Sequence, residues 1–139
     1  MSHPRLIIEA DGASRGNPGE AAGGAVVIDP ASSEVLVQTG VLCGIASNNV
    51  AEYRGMLEGV KRAREINPQA ELHIRMDSKL VVEQMSGRWK IKHPDMQVLA
   101  KEARELLAES RFSFEWIPRE ENSRADAAAN KALDTGQTY

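Results

Sequence analysis

The sequence contains very few aromatic residues and only one cysteine. Two Trp, two Tyr and two Phe make up 4% of its 139 residues, so aliphatic side chains must supply most of the core. Because Cys43 is the single cysteine of this sequence, an internal disulfide is excluded. A chain without disulfides suits a reducing compartment, and we therefore expect a cytoplasmic protein.

Long apolar runs and excess positive charge are also missing. No stretch approaches the roughly 20 apolar residues of a membrane span, and residues 1–5 lack the features of an export signal, so we expect no membrane partner. The formal net charge of -3 excludes binding to nucleic acid through bulk positive charge. Any such binding must depend on local basic patches and metal ions.

Hydrophobic periodicity predicts one α/β domain, which we place at residues 1–135, with 136–139 as a tail that could start a linker to a further domain. Three strands come first, and helices then alternate with two more strands. The predicted strands are 5–11, 23–29, 35–43, 72–76 and 112–116, and the predicted helices begin near Asn49, Lys79, Pro94 and Ser123. In such an arrangement, functional sites collect at the carboxyl ends of strands and at nearby helix starts.

Four acidic residues occupy such positions. Asp11 and Asp77 are predicted to end strands, and Glu52 and Asp126 to lie in the first turns of helices. Each has a structural alternative, because Asp next to Gly is common in turns and Asn49-x-x-Glu52, Asp77 and Ser123-x-x-Asp126 fit helix caps.

A cluster of carboxylates repels itself unless a positive charge lies within it. Oxygen-rich ligand sets favour a hard cation such as Mg²⁺. Two such ions about 4 Å apart could promote hydrolysis of a phosphodiester.

Four sequence blocks, in this order and over nearly the whole chain, resemble type 1 ribonuclease H. They are Asp11-Gly12-x-x-x-Gly16-Asn17-Pro18-Gly19, Ser47-Asn48-Asn49-x-Ala51-Glu52, Met76-Asp77-Ser78 and Asn122-x-x-Ala125-Asp126. The short form seen here is most similar to the amino-terminal domain of actinobacterial proteins that join a ribonuclease H domain to an acid phosphatase domain.

The resemblance implies a five-stranded mixed sheet, three antiparallel strands and then two parallel ones, with helices on both faces. It implies metal-dependent cleavage of the RNA strand of RNA/DNA hybrids. The implied catalytic and metal-binding residues are Asp11, Glu52, Asp77 and Asp126, with two Mg²⁺ ions for which Mn²⁺ could substitute. We expect a monomeric domain.

The resemblance also implies substrate contacts. Asn17, Ser47, Asn48 and Asn49 belong to blocks expected near the RNA in the minor groove, although turn formation and capping explain the asparagines equally well. Trp89, in the basic segment 88–93, corresponds to a Trp that lines the channel for the DNA strand. Its alternative role is to cover the edge of the core.

The sequence departs from the longer bacterial enzymes in two places. The basic protrusion before the channel Trp is missing, which predicts weaker and more salt-sensitive binding. The loop 118–122 lacks the His that assists catalysis in many relatives, and Arg119 and Glu121 are the candidates to replace it.

Two other functions stay open at this point. One is a relaxed nuclease of the same fold that cuts double-stranded RNA or branched substrates, and the other is a module that binds hybrid without cutting it. The presence of all four acids disfavours the binding module, because buried like charges give a binder no advantage.

Overall fold

The computed structural model describes residues 3–108 and 110–139. Five strands and four helices account for most of the described chain. The strands are β1 Arg5–Gly16, β2 Gly19–Asp29, β3 Glu34–Ala46, β4 Glu71–Met76 and β5 Phe112–Trp116, and the helices are α1 Asn48–Ile66, α2 Lys79–Met85, α3 Pro94–Leu107 and α4 Ser123–Thr135.

The strands form one mixed sheet in the order β3-β2-β1-β4-β5. β2 runs antiparallel to β1 and β3, whereas β4 runs parallel to β1 and β5. The predicted fold class, three antiparallel strands followed by two parallel ones, is therefore confirmed.

Helices cover both faces of this sheet, as predicted. The two faces are distinguished by adjacent glycines of β2, because successive side chains of a strand point to opposite faces. A Cβ atom at Gly23 would overlap the backbone of Gly55 in α1, and one at Gly24 would overlap the backbone of Ala129 in α4. The backbones of these helices thus lie directly against β2, one on each face.

The main core lies on the α1 face. Leu6, Ile8 and Ala10 of β1 point into it, together with Leu72 and Ile74 of β4, and all are at most 1% exposed. The alternate residues of β1, which include Glu9 and Asp11, point to the α4 face because side chains alternate along a strand.

The prediction that β1 ends at Asp11 is wrong. The strand continues to Gly16, which pairs with Gly19 of β2, so the glycines that resembled a turn are part of a hairpin. Parallel pairing with β4 does end at this point, because its last pair is Ala10 with Met76. Asp11 therefore lies at the end of the parallel part of the sheet, although it lies inside a strand.

The predicted helix caps are also wrong. Ser47 caps α1, where its Oγ accepts a hydrogen bond from the Val50 N–H, so Glu52 lies beyond the first turn. Ser78 caps α2 in the same way, and Asp77 lies outside that helix. α4 follows Asn122 without a side-chain cap. The capping explanations for Glu52, Asp77 and Asp126 therefore fail.

The last residues of the chain contact the free edge of β3. The backbone of Tyr139 exchanges two hydrogen bonds with Gly40, at 2.9 and 3.1 Å, and the Tyr139 hydroxyl donates to the Ala128 carbonyl of α4. The boundary between domain and tail near residue 135 stays a prediction. Across the described residues, none of the helices has the length and apolar character needed to cross a membrane.

Candidate active site

The four predicted acids line one open pocket of about 480 Å³ at the end of the parallel strands. β1 supplies Asp11, α1 supplies Glu52, the bend after β4 supplies Asp77 and the first turn of α4 supplies Asp126. The remaining lining residues are Gly12, Ala13, Ser14, Asn48, Arg119 and Asn130. Acids that are up to 115 positions apart in the sequence thus share one pocket.

Small residues bring the elements of the pocket together. A Cβ atom at Gly12 would overlap the backbone nitrogen of Glu52, and one at Gly55 would overlap the carbonyl oxygen of Asp11. Glycine at both positions lets β1 and α1 approach closely. This close approach brings Glu52 and Asp11 into the same pocket, and the close backbone contact predicted for the β1 glycines is confirmed at Gly12.

The carboxylates interact electrostatically. Burial and then the negative charges of Asp77, Asp126 and Glu52 together raise the pKa of Asp11 to about 8, against a hydrogen bond from the Gly12 N–H that lowers it. Burial and the charge of Asp77 likewise raise the pKa of Glu52 to about 7, opposed by a hydrogen bond with Ser78. The pocket therefore favours any bound group that brings positive charge to these acids.

Asn122 fixes the position of Asp77, a role that its place in a sequence block did not predict. It is 1% exposed, and its Nδ2 donates both to the Ala10 carbonyl at 2.8 Å and to Asp77 Oδ1 at 2.7 Å. Among the described residues, Asn122 Oδ1 has no hydrogen-bond partner. One buried amide thus connects the end of the β1–β4 pairing to the start of α4.

The chemistry of the pocket fits a hard divalent cation, because its acidic donors are all carboxylate oxygens. The side chains are not arranged as a finished metal site: within residues 3–108 and 110–139, no three His, Cys, Asp or Glu side chains converge closely enough to hold an ion. Mg²⁺ can bind through one or two carboxylates while it keeps several waters. Its positive charge would offset the mutual repulsion of the pocket carboxylates.

Of the residues predicted to contact the RNA strand, Asn48 lines this pocket. Asn17, Asn48 and Asn49 are exposed, and the Asn17 Oδ1 accepts a hydrogen bond from the Asn48 N–H at 3.2 Å. Ser47 is used as the α1 cap. The β1–β2 turn and the start of α1 are thereby joined beside the acids.

Trp89 lies apart from the acids, in the turn after α2. Trp89 is 45% exposed, and its backbone N–H donates to the Glu83 carbonyl. It borders a shallow groove that also includes Gln84, Lys90 and Arg104. The groove combines an aromatic surface with two cationic side chains.

The two candidates for the missing loop His occupy different surroundings. Arg119 lines the pocket with Asp126. Glu121 instead pairs with Arg75 at 3.5 Å and is not among the lining residues. The geometry therefore favours Arg119 as the residue that reaches a substrate in the pocket.

Comparisons with known proteins agree with this fold and site. A family model described as "Reverse transcriptase-like" matches residues 9–132. The solved N-terminal RNase H domain of Rv2228c from Mycobacterium tuberculosis is 50% identical, with a TM-score of 0.89 and coverage of 94% of each chain. RNase H1 from Halobacterium salinarum is 39% identical, with a TM-score of 0.88 and coverage of 94% of this chain and 98% of that one.

The chain belongs to the type 1 ribonuclease H family. A third member of the family, LC11-RNase H1, was solved in complex with an RNA/DNA hybrid; it is 34% identical, and the TM-score is 0.89 over 95% of this ribonuclease H chain and 99% of that one. The resemblance to type 1 ribonuclease H that the four sequence blocks indicated is thus confirmed. The chain spans 36% of the length of the bifunctional protein Rv2228c, to which it is 50% identical over 131 residues.

Proposed function

We propose that this ribonuclease H domain hydrolyses the RNA strand of RNA/DNA hybrids. The observation that carries the proposal is the meeting of four carboxylates in one pocket of a ribonuclease H fold. The hybrid-bound structure of a family member that is 34% identical supports the choice of substrate. The activity is that of a phosphodiester endonuclease.

The metal-binding and catalytic residues of this proposal are Asp11, Glu52, Asp77 and Asp126. Two Mg²⁺ ions, or Mn²⁺ in their place, fit the all-carboxylate donor set. When bound, such a pair of ions activates a water molecule and stabilises the leaving oxygen of a phosphodiester. The carboxylates of the chain supply the negative charge, and the Asn122 amide keeps Asp77 oriented toward the pocket.

Arg119 is the proposed auxiliary residue. An arginine stays protonated at neutral pH and donates in a planar fork, so it serves to contact a phosphate oxygen of the substrate and not to transfer a proton. Glu121, the other candidate, is engaged by Arg75. We therefore assign Glu121 no direct role in the reaction.

Two surfaces are proposed to distinguish the strands of the hybrid. Asn17, Asn48 and Asn49, with Ser47 ordering the loop, approach the minor groove and contact 2′-hydroxyls of the RNA strand. Trp89 and the cationic side chains near it contact the DNA strand, where aromatic packing and phosphate charge provide affinity. Ribose is then required on one strand only.

We also propose a setting for the domain in the natural protein and in the cell. The greater length of the mycobacterial relative supports a fused carboxy-terminal domain in the natural protein, with residues 1–135 as the ribonuclease H unit and 136–139 as the start of a linker. A cytoplasmic location is consistent with the single cysteine, and we also propose that the domain is monomeric.

A substrate panel tests the proposal. End-labelled RNA/DNA hybrid, double-stranded RNA, a branched junction, double-stranded DNA and single-stranded RNA are incubated with the protein in Mg²⁺ or EDTA. We expect cleavage of the RNA strand of the hybrid in Mg²⁺ only. Faster cleavage of double-stranded RNA or of the junction would support a relaxed nuclease, and tight binding to hybrid without cleavage would support a binding module.

A further inference from the structure

A buried carboxylate outside the pocket is held by two arginines. The Glu9 side chain is 2% exposed. Its oxygens accept hydrogen bonds from Arg124 Nε and a terminal nitrogen of Arg124, both at 3.1 Å, and from Arg75 Nη1 at 3.3 Å. We call Glu9, Arg75 and Arg124 the Glu9 ion cluster, in which the Arg75 and Arg124 side chains are 25% and 50% exposed. A buried carboxylate is costly unless it is paired and hydrogen-bonded in this way.

Each member of the Glu9 ion cluster lies two residues before a pocket acid. Glu9 precedes Asp11 on β1, Arg75 precedes Asp77 after β4, and Arg124 precedes Asp126 on α4. Side chains two apart in a strand point to the same face, about 7 Å apart. Arg75 faces Glu9 across the β1–β4 pairing, so both arginines bind β1 at the residue one strand repeat before Asp11.

If they were not held at Glu9, the two arginines would compete with a divalent cation for the pocket carboxylates. An arginine side chain is long enough to reach a neighbouring carboxylate one strand repeat away, and a bidentate pair with it is strong. Glu9 instead accepts three hydrogen bonds from these two arginines and holds them in place. Arg75 is engaged further by Glu115 at 3.2 Å and Glu121 at 3.5 Å.

We propose that Glu9 is a positioning residue that anchors Arg75 and Arg124 beneath the pocket and thereby keeps both guanidinium groups off Asp11 and Asp77. The carboxylates stay available to divalent cations as a result. This inference rests on the proposed function, in which those acids hold Mg²⁺. Residues that orient metal ligands without touching the metal commonly alter metal affinity or activity by roughly 10- to 100-fold when replaced.

The test measures Mg²⁺ binding directly, by isothermal titration calorimetry without nucleic acid, for wild type, Glu9→Gln and the double variant Glu9→Gln/Arg124→Gln. Glutamine keeps the shape of Glu9 but removes its charge. We expect Glu9→Gln to weaken Mg²⁺ binding roughly tenfold. The double variant is expected to recover most of this loss, because one of the two released guanidinium groups is gone.

Two controls separate positioning from simple destabilisation. Glu102→Gln breaks the exposed Lys61–Glu102 ion pair, 3.7 Å long and remote from the pocket, and Val60→Ala destabilises the core of α1. Thermal melting gives the folded fraction of every variant. Neither control should change Mg²⁺ affinity per folded molecule.

The outcomes are distinct. Wild-type Mg²⁺ affinity in folded Glu9→Gln, or a double variant that binds Mg²⁺ more weakly than Glu9→Gln, would overturn the inference. The binding assay also tests the positioning role separately from the nuclease proposal. If wild type cuts no hybrid but Glu9→Gln still weakens Mg²⁺ binding and the double variant recovers it, the positioning role is supported and the proposed activity is contradicted.

Discussion

Replacing Asp11 by Asn should stabilise the folded protein, and the gain should grow with pH. The pKa of Asp11 rises from an ordinary 3.8 to about 8, first through burial and then through the charge of Asp77. Between these values the folded state binds more protons than the unfolded state, so raising the pH destabilises the folded protein. At about 1.4 kcal/mol per tenfold change in proton affinity, the charge on Asp11 lowers the free energy of unfolding at pH 8 by at most about 5 kcal/mol.

The increase in the free energy of unfolding measured for Asp11→Asn should be smaller than this limit, because the pocket is open and water weakens the interactions between its charges. We expect about 2 kcal/mol at pH 8 and less than about 1 kcal/mol at pH 5. Asparagine keeps an oxygen that can accept the hydrogen bond of the Gly12 N–H, 2.8 Å long in wild type, so no compensating loss is expected.

Urea unfolding at pH 5 and pH 8 in EDTA measures this difference for the variant and wild type. Asp134→Asn is the matched control, since Asp134 is an exposed acid paired with Arg15 outside the pocket. Its effect on stability should be small at both pH values. An Asp11→Asn gain that is equal at pH 5 and pH 8, or larger at pH 5, would refute the reasoning.

Three further predictions concern metal and substrate. In thermal melting at pH 8, Mg²⁺ at ten times its dissociation constant should stabilise wild type by about 1.4 kcal/mol, and Asp11→Asn should lose this response; equal shifts in both proteins would contradict the metal assignment. In steady-state kinetics on hybrid, Trp89→Ala should raise KM by an amount equivalent to about 1 to 3 kcal/mol with little change in kcat, whereas unchanged activity per folded molecule together with early melting would indicate a core role. Asn49→Ala should lower kcat/KM on hybrid by about 1 to 3 kcal/mol without lowering the melting temperature, because Ser47 provides the α1 cap; a parallel loss of stability would indicate a structural role instead.

Much of the fold follows from local patterns in the sequence. The alternation of Leu72, Ile74 and Met76 predicts β4, and the helix predicted to begin near Lys79 matches the start of α2. These signals work because each depends on neighbouring residues along the chain. The four acids could be predicted for a different reason, namely that sequence blocks of a known family surround them.

What the sequence did not predict depends on contacts between distant segments. Gly12 after Asp11 favours a turn locally, but its pairing with Gly23 of β2 keeps it in the strand, and the turn comes only at Asn17 and Pro18. Asn49 resembled a cap although Ser47 performs that role. The buried contacts of Asn122 and Glu9 join strand and helix residues that are more than 100 positions apart, and no local pattern indicates such pairs.

The most direct test of the central claim compares wild type and Asp77→Asn on a hybrid labelled separately on its RNA and DNA strands, at matched folded concentration, in Mg²⁺ and in EDTA. Asparagine at position 77 can still accept the hydrogen bond from Asn122, so the fold should persist. We predict that wild type cuts only the RNA strand and only with Mg²⁺, and that Asp77→Asn loses several kcal/mol of rate enhancement, roughly 100-fold or more. Cleavage of the RNA strand by Asp77→Asn at the wild-type rate would contradict the assignment of these acids.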